Sequence, residues 1–264
     1  MKESVFSIKN LRKEYICGRS WIQETETFAA VRNVSFELYQ GETLGLVGES
    51  GCGKSTLAKM IVKLVKPNAG EIYFEGQNIL DMKEKKFRCL RPYIQLIGQN
   101  PFGSMDPRKR LINTLSEGIR CHHISTNGKS LRGYLEEILR SCELQPEFLD
   151  RYPCEFSGGQ LQRLAIARAL ALRPQVLVAD EIVSALDVSV QGQILELLMK
   201  QKTERNMSLI FITHDLSVVR KISDRILVMK DGKILDEGSP EYIFEKSECL
   251  YTRKLKEAMI TFPY

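Results

Sequence analysis

Apolar and polar residues alternate along 5–11 and again along 34–39, the period of strands with one buried face. Residues 43–47 form a compact apolar run instead, which predicts a strand covered on both faces. Another strand is expected over 71–79, with Gly70 before it and a bend at Gly76. From about 104 to 171 the period becomes helical, clearest over 131–140, and Pro146 and Pro153 break the stretch into pieces. Strands over 176–179 and 209–213 then alternate with helices over 190–202 and 216–222. Residues 225–229 and 233–237 flank Asp231 and Gly232, a favoured hairpin turn pair. Strands separated by helices predict a parallel sheet covered on both faces. The expected class is α/β, with an N-terminal antiparallel β region and an inserted, mostly helical subdomain. No internal repeat or low-complexity linker interrupts it.

The chemistry is concentrated at strand ends. Gly48-Glu49-Ser50-Gly51-Cys52-Gly53-Lys54-Ser55 fits the pattern G-x-x-x-x-G-K-[S/T], between the buried-strand run and a helix expected over 56–64 that opens at Thr56. Glycines let backbone N–H groups turn inward around phosphate oxygens, and a helix N-terminus adds positive potential. Lys54 is expected to reach the β- and γ-phosphates and the Ser55 hydroxyl to ligate Mg²⁺. With both flanks in place, the pattern reads as the P-loop core of a nucleoside triphosphatase rather than a bare strand–helix turn. Asp180 and Glu181 end an apolar strand pattern, where ligands of open α/β sheets bind. The pair fits either a metal-holding Asp180 with a water-polarising Glu181, or a helix cap. His214 and Asp215 end a further strand, from which His214 would approach the γ-phosphate or serve structure alone.

Composition narrows the class further. At about 150 residues per domain, 264 residues suggest one large domain or two small ones. With 43% hydrophobic and 27% charged residues, the chain suits a soluble protein with a real core. The excess of 38 Lys and Arg over 33 Asp and Glu is only +5 and scattered. Lys83-Glu84-Lys85-Lys86 and Arg108-Lys109-Arg110 read as solvated faces, so no nucleic-acid partner is expected. No apolar run approaches the ~18–20 residues that cross a bilayer, and the start lacks the apolar core of a secretion signal. Seven scattered cysteines, none in a Cys-x-x-Cys pair, suit free thiols in a reducing compartment. Cys121-His122-His123 is expected to be a polar loop, because adjacent residues do not converge on one ion.

Ser157-Gly158-Gly159-Gln160 opens an apolar helix expected over 164–172, which makes a second anion cradle in one chain. At this point the sequence resembles the ATP-binding subunit of an ABC transporter, over about residues 5–251 and with all motifs in family order. The resemblance implies the ABC ATPase fold as a single domain over 1–264. Its core and β region would span about 1–103 and 172–245, its helical signature subdomain about 104–171, and its C-terminal tail 246–264. It implies that Ser157, Gly158, Gly159 and Gln160 cap the ATP held by another subunit's P-loop, in a head-to-tail dimer around two nucleotides. By the same resemblance Glu181 is the catalytic base, His214 the switch histidine, and Gln99 a glutamine that ligates Mg²⁺ and couples to the membrane subunits. Ser184-Ala185-Leu186-Asp187 lies at the dimer seam, and Tyr15 either stacks on adenine or is an ordinary core or surface aromatic, set off from the next strand by residues 16–28.

Several segments resemble the peptide and nickel importer branch, among them residues 41–55, 99–108, 151–160 and 184–191. The first is more like the second of the two ATPases such importers carry. Tyr251-Thr252 is similar to a Pro-Tyr-Thr element of the branch with Leu250 in place of proline, and the stop at Tyr264 is more like the shorter nickel-type subunits. Gly98, Asn100, Asp106 and Ile182 depart from the commonest family residues, but none removes a phosphate or metal ligand. The branch implies an ATPase on the cytoplasmic face of the membrane, peripheral, driving import of peptides or nickel. Its partners would be a second ATPase, copy or paralogue, two transmembrane permeases and, indirectly, an extracytoplasmic substrate-binding protein. The alternative is a soluble machine such as a phosphonate carbon–phosphorus lyase, which such a chain would serve as an accessory subunit.

Overall fold

The structure of the protein, a computed structural model, describes residues 3–17 and 26–261. Two units are present: residues up to Phe87 together with those from Ser208 onward, and Arg88–Met207. In chain order the elements begin with β1 (Ser4–Cys17), β2 (Glu26–Tyr39), β3 (Thr43–Val47), α1 (Lys54–Ile61), β4 (Ala69–Phe74), β5 (Gln77–Asn78) and α2 (Glu84–Arg88). β6 (Ile94–Ile97), α3 (Leu111–His122), α4 (Leu131–Ser141), α5 (Gly158–Leu170), β7 (Val176–Asp180) and α6 (Val188–Glu204) follow. The chain continues through β8 (Ser208–Thr213), α7 (Leu216–Ile222), β9 (Arg225–Lys230), β10 (Lys233–Gly238) and α8 (Leu250–Thr261). Among the described residues no helix is long and apolar enough to cross a membrane.

The first unit holds two layers of strand pairing. β1 lies between β2 and β4, antiparallel to both, and β5 completes that sheet. β3 lies between β8 and β9, parallel to both, and β10 returns antiparallel along β9. Every residue of β3 and of β8 is buried, as their unbroken apolar runs require. Phe6 and Phe74 pack their rings 5.1 Å apart under the antiparallel sheet. The turn between β9 and β10 has positive φ at both Asp231 (47°) and Gly232 (79°), the backbone that the Asp-Gly pair predicted.

The second unit pairs β6 with β7 in parallel. Its helices α3, α4 and α5 occupy the stretch read as helical, and their buried faces carry Leu111, Leu115, Leu135, Leu139 and Leu164.

Two expectations change. β1 and β2 are each 14 residues long, and their pairing continues through Tyr15↔Phe28 and Ile16↔Thr27 to Cys17↔Glu26. The segment 16–28 is therefore strand at both ends, while 18–25 lies outside the described residues. Alternation hid this because bulges interrupt the ladder, Asn10 and Asn33 take positive φ, and the outer arms expose Tyr15, Ile16 and Phe28. Cys121 and His122 do not form a loop but end α3, whose cap is His123 at φ 52°. Among the described residues no group of three metal-ligating side chains exists. α8 lies within the C-terminal segment after residue 246.

Candidate functional site

In the first unit, buried β3 delivers the chain into the loop 48–53, and α1 begins at Lys54. Glycine is required at two places in the loop. A Cβ on Gly48 would lie 2.1 Å from the Met229 carbonyl oxygen; one on Gly53, whose φ is 109°, would lie 2.0 Å from that of Ala30. Lys54 is only 3% exposed, and its Nζ donates to the carbonyls of Gly48 (2.7 Å) and Glu49 (2.9 Å). The ammonium therefore sits inside the loop. No side chain caps α1. Its first-turn N–H groups have no intrahelical acceptor, and together with the ammonium they make an anion-binding end. Ser55 and Thr56 stand half-buried on that turn, Ser50 and Gly51 are exposed, and Glu49 points outward.

The loop is braced from two sides. The Gly232 N–H donates to the Cys52 carbonyl (3.0 Å), and the Arg32 N–H donates to Gly232 (2.7 Å). The Glu49 N–H donates to the Tyr251 hydroxyl on α8 (3.2 Å). In the sequence Tyr251 stands out only within a branch-like element, since no periodicity signals a contact across 202 residues. Cys52 is buried, and burial pushes its thiol up against the opposing pull of Lys54. His214 is exposed at the end of β8, and the neighbouring Asp215 carboxylate accepts the Ser217 N–H to cap α7. Tyr15 is 39% exposed beside Phe28, with the Lys13 ammonium 5.2 Å from its ring centre.

The second unit gathers the remaining residues. Asp180 ends β7 and is buried, and Glu181 follows with φ 51°, in the left-handed region. Such a backbone costs a glutamate free energy and is typical of functional positions. Gln99, just beyond β6, donates from Nε2 to the Glu181 carboxylate (3.0 Å). The Ser184 hydroxyl donates to the Glu181 carbonyl (3.0 Å). The helix-cap alternative for the two acids falls, because turns follow them and the next helix starts only after Asp187.

Ser157 caps α5 in a reciprocal box: its hydroxyl accepts the Gln160 N–H (3.4 Å), and Gln160 Oε1 accepts the Ser157 N–H (3.0 Å). Ser157 and Gly158 are exposed, while a Cβ on Gly159 would meet Val190 at 2.9 Å.

The donor types fit the expected groups. Ser55 and Asp180 offer hard oxygens of the kind Mg²⁺ takes, and the narrow loop around Lys54 fits phosphate.

Comparison with known proteins gives a consistent picture. The family described as ABC transporter matches residues 31–184. The oligopeptide transport ATP-binding protein OppF of Escherichia coli K12 is 44% identical over 243 residues, which cover 92% of this chain and 73% of that protein. AppF of Bacillus subtilis 168, also described as an oligopeptide transport ATP-binding protein, is 43% identical over 96% of this chain and 78% of its own. The glutathione import ATP-binding protein GsiA of Salmonella paratyphi A is 46% identical over 89% of this chain, which spans 38% of that protein. Among solved structures, a dimeric post-hydrolysis ATP-binding cassette bound to ADP and Pi superimposes with a TM-score of 0.77 at 31% identity, covering 89% of this chain and 98% of its own.

Proposed function

Because the chain belongs to the ABC transporter family, we propose that it is the ATP-hydrolysing subunit of an importer for peptides. The observation that carries this reading is the buried Lys54 ammonium held inside a glycine-walled loop at an uncapped helix N-terminus. Lys54 and the loop N–H groups from Gly51 to Thr56 hold the phosphates of ATP, and Tyr15 stacks on its adenine. Ser55, Asp180 and the Gln99 amide oxygen would hold Mg²⁺, which would offset charge on the phosphate oxygens. Glu181 accepts a proton from water as that water attacks the γ-phosphorus. The bond from phosphorus to the bridging oxygen breaks, leaving ADP and phosphate. His214 orients the γ-phosphate.

Ser157, Gly158, Gly159 and Gln160 of a second ATPase subunit, a copy or a paralogue, close over the same nucleotide. Two transmembrane permeases receive the motion at the cytoplasmic face of the membrane, where the chain is peripheral, and an extracytoplasmic binding protein supplies the cargo. The names of the relatives favour import over the soluble carbon–phosphorus lyase alternative, and they favour peptides over nickel as cargo.

The test is to purify the tagged chain from detergent-solubilised membranes of its own cell and identify its companions by mass spectrometry. Two polytopic permeases and a second ATPase are the expected result, with peptide-stimulated ATP hydrolysis in the reconstituted complex. Stimulation by nickel but not by peptides would overturn the cargo. A complex without membrane proteins would overturn transport and leave the ATPase chemistry in place.

A further inference from the structure

Tyr251 is buried at the first turn of α8, under the Lys230 ammonium, which lies 4.6 Å from its ring centre. Its hydroxyl accepts the N–H of Glu49. The carbonyl of the same residue is held from the other side by the Lys54 ammonium. Glu49 is thus gripped at both ends of its backbone, once by the group that must serve phosphate and once by a helix 202 residues away. An ammonium that turns toward a phosphate releases the loop carbonyls, whereas the tie to Tyr251 does not depend on it.

The start of α8 is itself fixed. Asp236 Oδ2 on β10 accepts the hydroxyls of Thr252 (2.7 Å) and of Ser247. The Ser247 hydroxyl takes the Cys249 N–H (3.2 Å), and its carbonyl takes Arg253 Nε (3.2 Å). Thr252 and Ser247 are both buried, so this network is satisfied where water does not compete. Burial also pushes the Tyr251 phenol up, so it stays a neutral hydroxyl across the physiological range.

We infer that Tyr251 is a positioning residue for nucleotide binding: its hydroxyl, anchored through the α8 network, holds Glu49 and keeps the phosphate loop in its binding shape while Lys54 engages ATP. The inference rests on the reading of that loop as the ATP site. A loop held in shape before binding loses less freedom on binding, so removing the tie weakens affinity rather than chemistry.

Two variants separate positioning from plain stability. Tyr251→Phe keeps the buried ring and removes only the hydroxyl. Thr252→Val removes one bond of the α8 anchor without touching Glu49. ATP affinity is read with a fluorescent ATP analogue, turnover by phosphate release, and stability by Tm. In Tyr251→Phe the dissociation constant and KM are expected to rise about 2- to 10-fold, the range one hydrogen bond supplies, with kcat within about 2-fold. Thr252→Val should lower Tm and, because Ser247 still ties the start of α8 to Asp236, raise KM less than Tyr251→Phe does. An unchanged KM in Tyr251→Phe, or an equal rise in Thr252→Val, overturns the inference. Nucleotide bound by the wild type and lost in Lys54→Ala establishes the underlying ATP site independently. A wild type that binds no nucleotide overturns both readings.

Discussion

At the residue scale, Glu181→Gln keeps an acceptor beside Gln99 and removes the negative charge proposed to accept the proton. ATP binding should be retained while phosphate release falls by about 10²- to 10⁴-fold, the usual weight of a general base; turnover near the wild-type rate would remove Glu181 from that role. Cys52 offers a quieter test. Burial holds its thiol up, so at neutral pH it should react with iodoacetamide more slowly than the exposed Cys89, Cys121 and Cys154, as the order of modified peptides over time would reveal. The loop residues were legible in the sequence because phosphate chemistry dictates both residue type and spacing. The acids are legible from the strand they end and Gln99 from the family resemblance, but the hydrogen bond between Gln99 and Glu181 joins residues 82 apart and has no local signature. The Tyr251 contact was invisible for the same reason.

At the scale of elements, two helix caps invite comparison. Ser130 caps α4 by accepting the Gly133 N–H (3.1 Å), and Ser157 caps α5 within its reciprocal box. Alanine at either position should cost about 1 kcal/mol in urea unfolding. Only Ser157→Ala should also depress ATP turnover, since only that cap is proposed to double as a phosphate contact; equal activity in the two variants would separate Ser157 from catalysis. Elements with clean periodicity were legible: β3 spans the five residues of its apolar run, and α7 the seven of its pattern. β6 is four residues long and too short for any period to register. The outer arms of β1 and β2 are held by backbone pairing, which exposed aromatics and bulges do not advertise. Helix α1 ends at Ile61 rather than at 64, because Lys63 takes positive φ and its ammonium turns to the carbonyls of Ile79 and Met82.

For the whole molecule, alkaline pH is the informative axis. Burial pushes the Cys142 thiol up to about 11 from an ordinary value of 9.0. Above pH 9 the unfolded chain loses this proton and the folded chain keeps it, so the unfolded state is increasingly favoured as pH rises. Stability should fall by about 1.4 kcal/mol per pH unit between about pH 9 and 11 on this account, with no effect below pH 9. Urea midpoints for wild type and Cys142→Ala at pH 8, 9 and 10 check this: the variant should lose less between 9 and 10, and parallel curves would refute it. A different tension sits at Glu181, whose left-handed backbone a glycine or asparagine would occupy with less strain. Libraries of this chain selected only for survival of heat will therefore enrich Glu181→Gly and Glu181→Asn. On the proposed role of Glu181, the hardiest clones from such a screen should be the ones that no longer turn over ATP.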